Sequence, residues 1–213
     1  MTGKDKISSS ALVIVDVQVD FCPGGKLAVE GGDEIVPIIN SFSSRFPYVV
    51  ATRDWHPEGH ASFASSHPGK LPYQEGDVFG IQQTLWPDHC VQGSRGAEFH
   101  PSLDIRPIRC ILHKGTNPRI DSYSAFFEND RKTPTGLEPL LKGLGFKTLF
   151  VCGIATDVCV YFSVLDALQL GFEVFFVEDA CKGVNLPEGS VQRVVQDMER
   201  AGAIRVKAGD LRP

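Results

Sequence analysis

The apolar positions of this chain fall into short blocks whose spacing switches repeatedly between two periods. Ala11-Leu-Val-Ile-Val15 is a continuous apolar run, the pattern of a strand covered on both faces. Asp33 to Phe46 then carries Ile35, Ile38, Ile39, Phe42 and Phe46 at helical spacing, with Asp33 expected as the N-cap. Tyr48 to Thr52 predicts a second strand and Arg109 to His113 a third. Leu137, Leu140, Leu141 and Leu144 mark a short helix closed by Gly145. Thr148 to Gly153 predicts the fourth strand, followed by a helix over Thr156 to Leu170 that ends at Gly171. Glu173 to Val177 is a fifth strand. Ser190 to Ala201, with Val191, Val194, Val195 and Met198 on one face, is a helix ended by Gly202. Ala203 to Val206 supplies the sixth strand.

Strands alternating with helices of this length predict βαβ units, hence an α/β fold with a mostly parallel sheet and helices on both faces. No repeat, low-complexity tract or linker interrupts the pattern, so residues 1–213 are read as one domain. The exception is the stretch from Trp55 to about Pro107, rich in Gly, Pro, Ser and His and without a sustained period. A loop of that length inside a compact domain is usually functional.

Composition narrows the function classes. The net charge of −5 and the lack of a basic run argue against nucleic-acid binding. The N-terminal Met1 to Ser10 is polar, and the longest apolar runs are far too short to span a bilayer, so a cytoplasmic protein without membrane association is expected. The six cysteines form no CxxC pair and are expected to be reduced.

In an open parallel sheet, ligands bind beyond the carboxyl ends of the strands. Asp16 follows the first strand, Asp54 and His56 the second, and Lys114 the third. Cys159 opens the helix after the fourth. A thiol in a first helical turn beside a lysine is expected to have its pKa drawn down from ~8.5 into a ~3.5–7.5 range, favouring thiolate at neutral pH. Asp16, closing an apolar run, is expected to have a raised pKa that suits a proton shuttle. Asp54-x-His56 has the spacing of two metal ligands on one side of an extended segment, with His89 or His60 as a third. His67, His100 and His113 are read as structural or surface residues.

These residues sit in stretches that resemble the nicotinamidase branch of the isochorismatase-like cysteine hydrolases. The matching segments are Val15-Asp-Val-Gln-Val-Asp-Phe21, Ala51-Thr-Arg-Asp-Trp-His-Pro57 and Trp86-Pro-Asp-His-Cys-Val-Gln-Gly93. They continue with Gly96-Ala-Glu-Phe-His-Pro101, Lys114-Gly115, Tyr123-Ser-Ala-Phe126 and Gly153-Ile-Ala-Thr-Asp-Val-Cys-Val160. They follow the family's order and cover nearly the whole chain.

The resemblance implies a Rossmann-like three-layer fold on a six-stranded sheet and an Asp16–Lys114–Cys159 triad. It implies a divalent metal, zinc first with iron or manganese as alternatives, on Asp54, His56 and His89, with His60 left open. It further implies a cis peptide before Ala155 and an oxyanion hole of the Ala155 and Cys159 N–H groups, such donors stabilising a transition state by on the order of 3–4 kcal/mol each. Phe21 and Trp86 would sandwich a flat ring, with Tyr123 nearby and Ala155 also at the substrate. The implied activity is that of an amidohydrolase on linear amides, releasing ammonia from nicotinamide and also deamidating pyrazinamide. The alternative is a related cysteine amidase acting on a carbamoyl or ureido compound, although those relatives generally lack the metal set. An assembly of identical subunits is left open. Two departures bear on substrate preference. The Asn117 to Ser122 segment, where Arg119 and Asp121 are candidates to reach the pocket mouth, is long, as is the loop from His60 to Trp86.

Overall fold

The computed structural model describes residues 6–211; residues 1–5, part of the polar N-terminal stretch, and residues 212–213 lie outside that range. Among the described residues, eight strands and four α-helices follow in the order β1 (Ala11–Val15), α1 (Ile35–Phe42), β2 (Tyr48–Asp54), β3 (Glu75–Val78), β4 (Ile81–Thr84), β5 (Ile108–Lys114), α2 (Leu137–Gly143), β6 (Thr148–Ile154), α3 (Tyr161–Gln169), β7 (Glu173–Lys182), α4 (Ser190–Ala201) and β8 (Ile204–Val206). Six strands form one sheet in the order β5-β2-β1-β6-β7-β8, every adjacent pair parallel. The chain builds outward from β1 through β2 to β5, then returns to β1's other side with β6 and builds outward again. The point where that direction reverses, between β1 and β6, is where open α/β sheets bind their ligands.

The apolar runs fall where a buried parallel strand needs them. All five residues of β1 are fully buried between β2 and β6, whereas the edge strand β5 covers only alternate residues along most of its length. Helices α1 and α3 pack against β7, and α4 packs on α3. Among the described residues, no helix is long and apolar enough to cross a membrane, and all six cysteines are free thiols.

Three local expectations are corrected. Asp33 does not cap α1: it lies inside a 3-10 turn, Gly32–Glu34, that starts at left-handed Gly31 and feeds α1 without a side-chain cap. The helix after β6 opens as a π-turn, Thr156–Val160, in which the Val160 N–H donates to the Ala155 carbonyl, before α3 begins. The stretch from Trp55 to Pro107 is not structureless. It contains the antiparallel hairpin β3–β4, turned by Phe79 and Gly80 with both φ values positive. The hairpin packs through Val78 on a small separate cluster with Ala64 and Leu85. Bridges from His56 to Val91 and from Phe63 to Trp86 tie the rest of the stretch together.

Candidate active site

The register of the sheet assembles the site. Asp54 and Lys114 end neighbouring strands and are paired residues in the β2–β5 ladder, while Val15 pairs with Gly153 across β1 and β6. Asp16, next after Val15, takes a left-handed backbone conformation with φ 49°. Its N–H donates to the Thr52 hydroxyl oxygen at 3.1 Å, and that hydroxyl donates in turn to Asp16 Oδ1 at 2.6 Å. Sequence reading passed over Thr52, because nothing local marks it as a partner of a residue 36 positions away.

Lys114 is the hub. Its buried Nζ lies 2.8 Å from Asp16 Oδ2, donates to the Ser122 carbonyl at 2.8 Å and to Asp54 Oδ1, and stands 3.5 Å from Cys159 Sγ. Burial alone would strip such an ammonium of its proton, but Asp16, Asp54 and Cys159 together outweigh it and hold the lysine well above its usual value. Asp16, Asp54 and Cys159 present donor atoms within 4.8 Å of one another. Burial pushes the Asp16 carboxyl up to about 6, with Lys114 pulling the other way. This agrees with the expected raised value.

The expected thiolate at Cys159 is corrected. Burial is the dominant influence and drives the thiol well above its usual value; Lys114 pulls it down, but Asp16 and Asp54 add to the rise. The π-turn dipole and a single ammonium do not offset full desolvation beside two carboxylates, so the resting group is a thiol that needs a base.

Asp54, His56 and His89 form a second, adjoining cluster. Their donor atoms lie within 4.8 Å of one another, with His56 Nε2 3.7 Å and His89 Nε2 3.6 Å from Asp54 Oδ2. Both rings are oriented from behind: His56 Nδ1 meets the Gly115 carbonyl at 3.0 Å and His89 Nδ1 the Pro87 carbonyl at 2.8 Å. That fixes Nδ1 as the donor and leaves each Nε2 as a lone-pair atom facing Asp54. His56 Nε2 is buried with no hydrogen-bond partner. Gly115 permits this approach because it is left-handed (φ +62°) and because a Cβ there would meet the His56 ring at 2.4 Å. An orphaned imidazole nitrogen beside a second one and a carboxylate fits a divalent transition metal. Burial pushes the Asp54 carboxyl up, yet the Lys114 ammonium beside it leads the influences that keep it well below the usual range. The His60 ring lies tilted beside that of His56, with centroids 4.5 Å apart, but its nitrogens are engaged elsewhere, with Ser62 Oγ at 2.8 Å and the Asn117 carbonyl at 2.8 Å. His60 is not one of the three residues whose donor atoms converge.

Beside the two clusters lies a cavity lined by Phe21, Leu27, Asp54, Trp86, His89, Asp121, Tyr123, Ala155, Val158, Cys159 and Val184. Phe21, Trp86, Tyr123 and Ala155 are thus brought together at one cavity. The Trp86 indole donates to the Tyr123 hydroxyl at 3.0 Å, and the peptide before Ala155 is cis. Asp121 reaches the cavity, but Arg119 does not. Its guanidinium lies over the exposed Phe79 ring, 5.3 Å from the centroid. Leu27, Val158 and Val184 escaped sequence reading because single aliphatic residues carry no local sign of lining a pocket. Val184 is held by Asp157, whose carboxylate accepts the N–H groups of Val184 and Asn185 at 2.8 Å each.

The isochorismatase domain family matches residues 10–208. A nicotinamidase of Escherichia coli K12 is 49% identical over 197 residues, covering 91% of this chain and 92% of the relative. A solved nicotinamidase/pyrazinamidase structure from Acinetobacter baumanii superposes with a TM-score of 0.93 at 49% identity, covering 96% of this chain and 99% of that one. The pyrazinamidase of Pyrococcus horikoshii, solved in complex with zinc, gives a TM-score of 0.76 at 37% identity over 93% of this chain and 99% of that chain. With a parallel six-stranded sheet and an Asp–Lys–Cys hub of this arrangement, the chain belongs to the isochorismatase domain family, within its nicotinamidase branch.

Proposed function

We propose that this protein hydrolyses nicotinamide to nicotinate and ammonia in the cytoplasm, as a step of NAD salvage, and that it accepts pyrazinamide as well. The observation that carries the reading is Lys114 Nζ, 2.8 Å from Asp16 Oδ2 and 3.5 Å from the Cys159 sulfur, which itself lines a cavity bordered by the aromatic residues Phe21, Trp86 and Tyr123.

Phe21 and Trp86 grip the faces of the pyridine ring, and the Tyr123 hydroxyl borders it. Asp54, His56 and His89 hold a divalent ion, zinc in preference to iron or manganese, which when bound supplies a Lewis acid for the ring nitrogen. Asp16 takes the Cys159 proton as the sulfur attacks the amide carbon, and the Lys114 ammonium offsets the charge gathering on sulfur. The N–H groups of Ala155 and Cys159 receive the developing oxyanion. Collapse breaks the C–N bond, and Asp16 returns its proton to the departing nitrogen, so ammonia leaves and a thioester remains. Asp16 then deprotonates a water, hydroxide attacks the thioester, and the expelled sulfur regains its proton from Asp16. Splitting one difficult amide cleavage into two steps is the advantage of the covalent route.

The test is ammonia release from nicotinamide beside a panel of ureido and carbamoyl compounds, with the metal content of the same sample measured. Cys159→Ala is expected to abolish release while its circular dichroism matches the parent. Turnover of a ureido or carbamoyl compound in place of nicotinamide, or full activity in Cys159→Ala, overturns the proposal.

A further inference from the structure

Asp121 stands beside the Asp54–His56–His89 cluster without belonging to it. Its Oδ1 lies 4.0 Å from the orphaned His56 Nε2, the atom that Asp54 Oδ2 also approaches, to 3.7 Å. It is not one of the three groups whose donor atoms converge within 4.8 Å. The side chain is buried, at 3% exposure, and lines the cavity. A carboxylate in so dry a place is costly to keep unless something orients it and something positive faces it.

The orientation is supplied by a network. The Ser122 N–H donates to Asp121 Oδ1 at 2.7 Å, and Gln83 Nε2 approaches Oδ2 at 3.4 Å. Gln83, itself 5% exposed, is braced in turn: its Oε1 accepts from Asn129 Nδ2 at 2.9 Å, and the Asn129 N–H donates to the Asp121 carbonyl at 2.7 Å. Gln83 lies on β4, so the β3–β4 hairpin, which contributes nothing to the main sheet, delivers the group that steers this carboxylate. None of these contacts is a cation. Lys114 pairs instead with Asp16 and Asp54, and Arg119 lies over Phe79.

We infer that Asp121 is an outer carboxylate of the metal centre, a positioning residue that stabilises the bound dication through charge without ligating it and so sets its affinity. This rests on the assignment of Asp54, His56 and His89 as ligands. Groups one shell beyond the ligands typically change metal affinity by about 10–100-fold when removed. The inference also accounts for the strictness of the network, since a carboxylate free to swing away would lose its effect on a charge held at His56 Nε2.

The experiment measures zinc affinity by competition with a chromophoric chelator on metal-stripped protein, for the parent, Asp121→Asn, Asp121→Glu and His56→Ala. Asparagine keeps the size and the acceptor for the Ser122 N–H while removing the charge. Asp121→Asn is expected to bind zinc about 10–100-fold more weakly, with the melting temperature of the metal-free protein unchanged. Asp121→Glu is expected to stay within about threefold of the parent, a loss smaller than the usual range for deleting such a group. Parental affinity in Asp121→Asn, or equal losses in the asparagine and glutamate variants, overturns the inference while leaving the ligand assignment intact. Retained stoichiometric zinc in His56→Ala, or no zinc bound by the parent, overturns the ligand assignment and this inference with it.

Discussion

The Nζ of Lys114 and the Oδ2 of Asp16 meet 2.8 Å apart with both side chains shut off from solvent. They come from strands separated in the sheet by β2, whose own terminal carboxylate, on Asp54, also accepts from the same ammonium. One cation thus answers two buried anions and a thiol, and the site's electrostatics depend on it.

Replacing Lys114 with methionine, of nearly the same shape, therefore leaves Asp16 and Asp54 facing each other without a counter-charge. Removing one partner of a buried pair typically costs about 3–5 kcal/mol. Urea denaturation of metal-free Lys114→Met is expected to register a loss of that size, together with undetectable ammonia release. A loss under about 1 kcal/mol, the scale of an exposed pair, would mean that water reaches the pair.

The Asp16 carboxyl, pushed up to about 6 by burial, gives a pH dependence whose sign is set by its two roles. In the proposed role of proton acceptor it must be ionised, so kcat/KM is expected to fall on the acid side, with a limb no higher than about pH 6. For stability the direction is opposite. The folded state holds this proton more tightly than the unfolded chain, where the carboxyl titrates near 3.8. Stability from this residue is therefore full at low pH and is lost as pH rises from about 4 to about 6. Denaturation of metal-free parent and Asp16→Asn across that window is expected to show the difference shifting in the variant's favour with rising pH. A difference that stays constant would mean that Asp16 does not titrate there.

The order of elements and the rim residues could be read from the sequence because both depend on local pattern. Ala11–Val15 is uninterrupted because β1 is covered on both faces, and each polar residue that ends such a run (Asp16, Asp54, Lys114) is delivered to the same edge. The hairpin β3–β4 was hidden because its turn is Phe79-Gly80, with a bulky aromatic where Asn or Asp is usual, and because it buries only a single small cluster. The thiol's state was misjudged because the dipole and the lysine are visible in sequence while full desolvation is not. Thr52, Gln83 and Ser163 were invisible for a related reason. Each is an ordinary polar residue whose partner is tens of positions distant.

Gly153 shows how tightly β1 and β6 must meet for the site to form. It adopts φ +126°, and a Cβ there would lie 2.0 Å from the Val15 carbonyl oxygen, one residue before Asp16. Alanine at this position meets backbone strain of about 1–3 kcal/mol and an overpacking cost of about 1–3 kcal/mol. Gly153→Ala is expected to lose at least about 2 kcal/mol by thermal or urea unfolding, and to lose activity even where it remains folded. A parental melting temperature would show that the two strands separate more freely than this contact allows.

Ser163 links the nucleophile to the loop opposite. Its buried hydroxyl donates to the Cys159 carbonyl at 2.6 Å and accepts the Ala125 N–H at 2.9 Å. Ala125 lies three residues beyond Ser122, whose carbonyl takes the Lys114 ammonium, and that ammonium reaches back to Cys159 Sγ. The hydrogen bonds therefore close a circuit through the reacting sulfur. Ser163→Ala opens it and strands a buried N–H, a cost of about 1–3 kcal/mol. The Cys159 backbone loses its tie to the Lys114 side of the site, and misplacement on the scale of an ångström can lower turnover by up to about a hundredfold. Ser163→Ala is thus expected to lower kcat by about ten- to a hundredfold with KM for nicotinamide nearly unchanged, because Phe21 and Trp86, proposed above to hold the ring, are not among the hydrogen-bond partners of Ser163. Ser163→Thr, which keeps the hydroxyl, is expected to retain most of the turnover. A purely structural role would lower stability in Ser163→Ala and leave kcat per folded molecule alone, and that result would remove Ser163 from the positioning of the nucleophile.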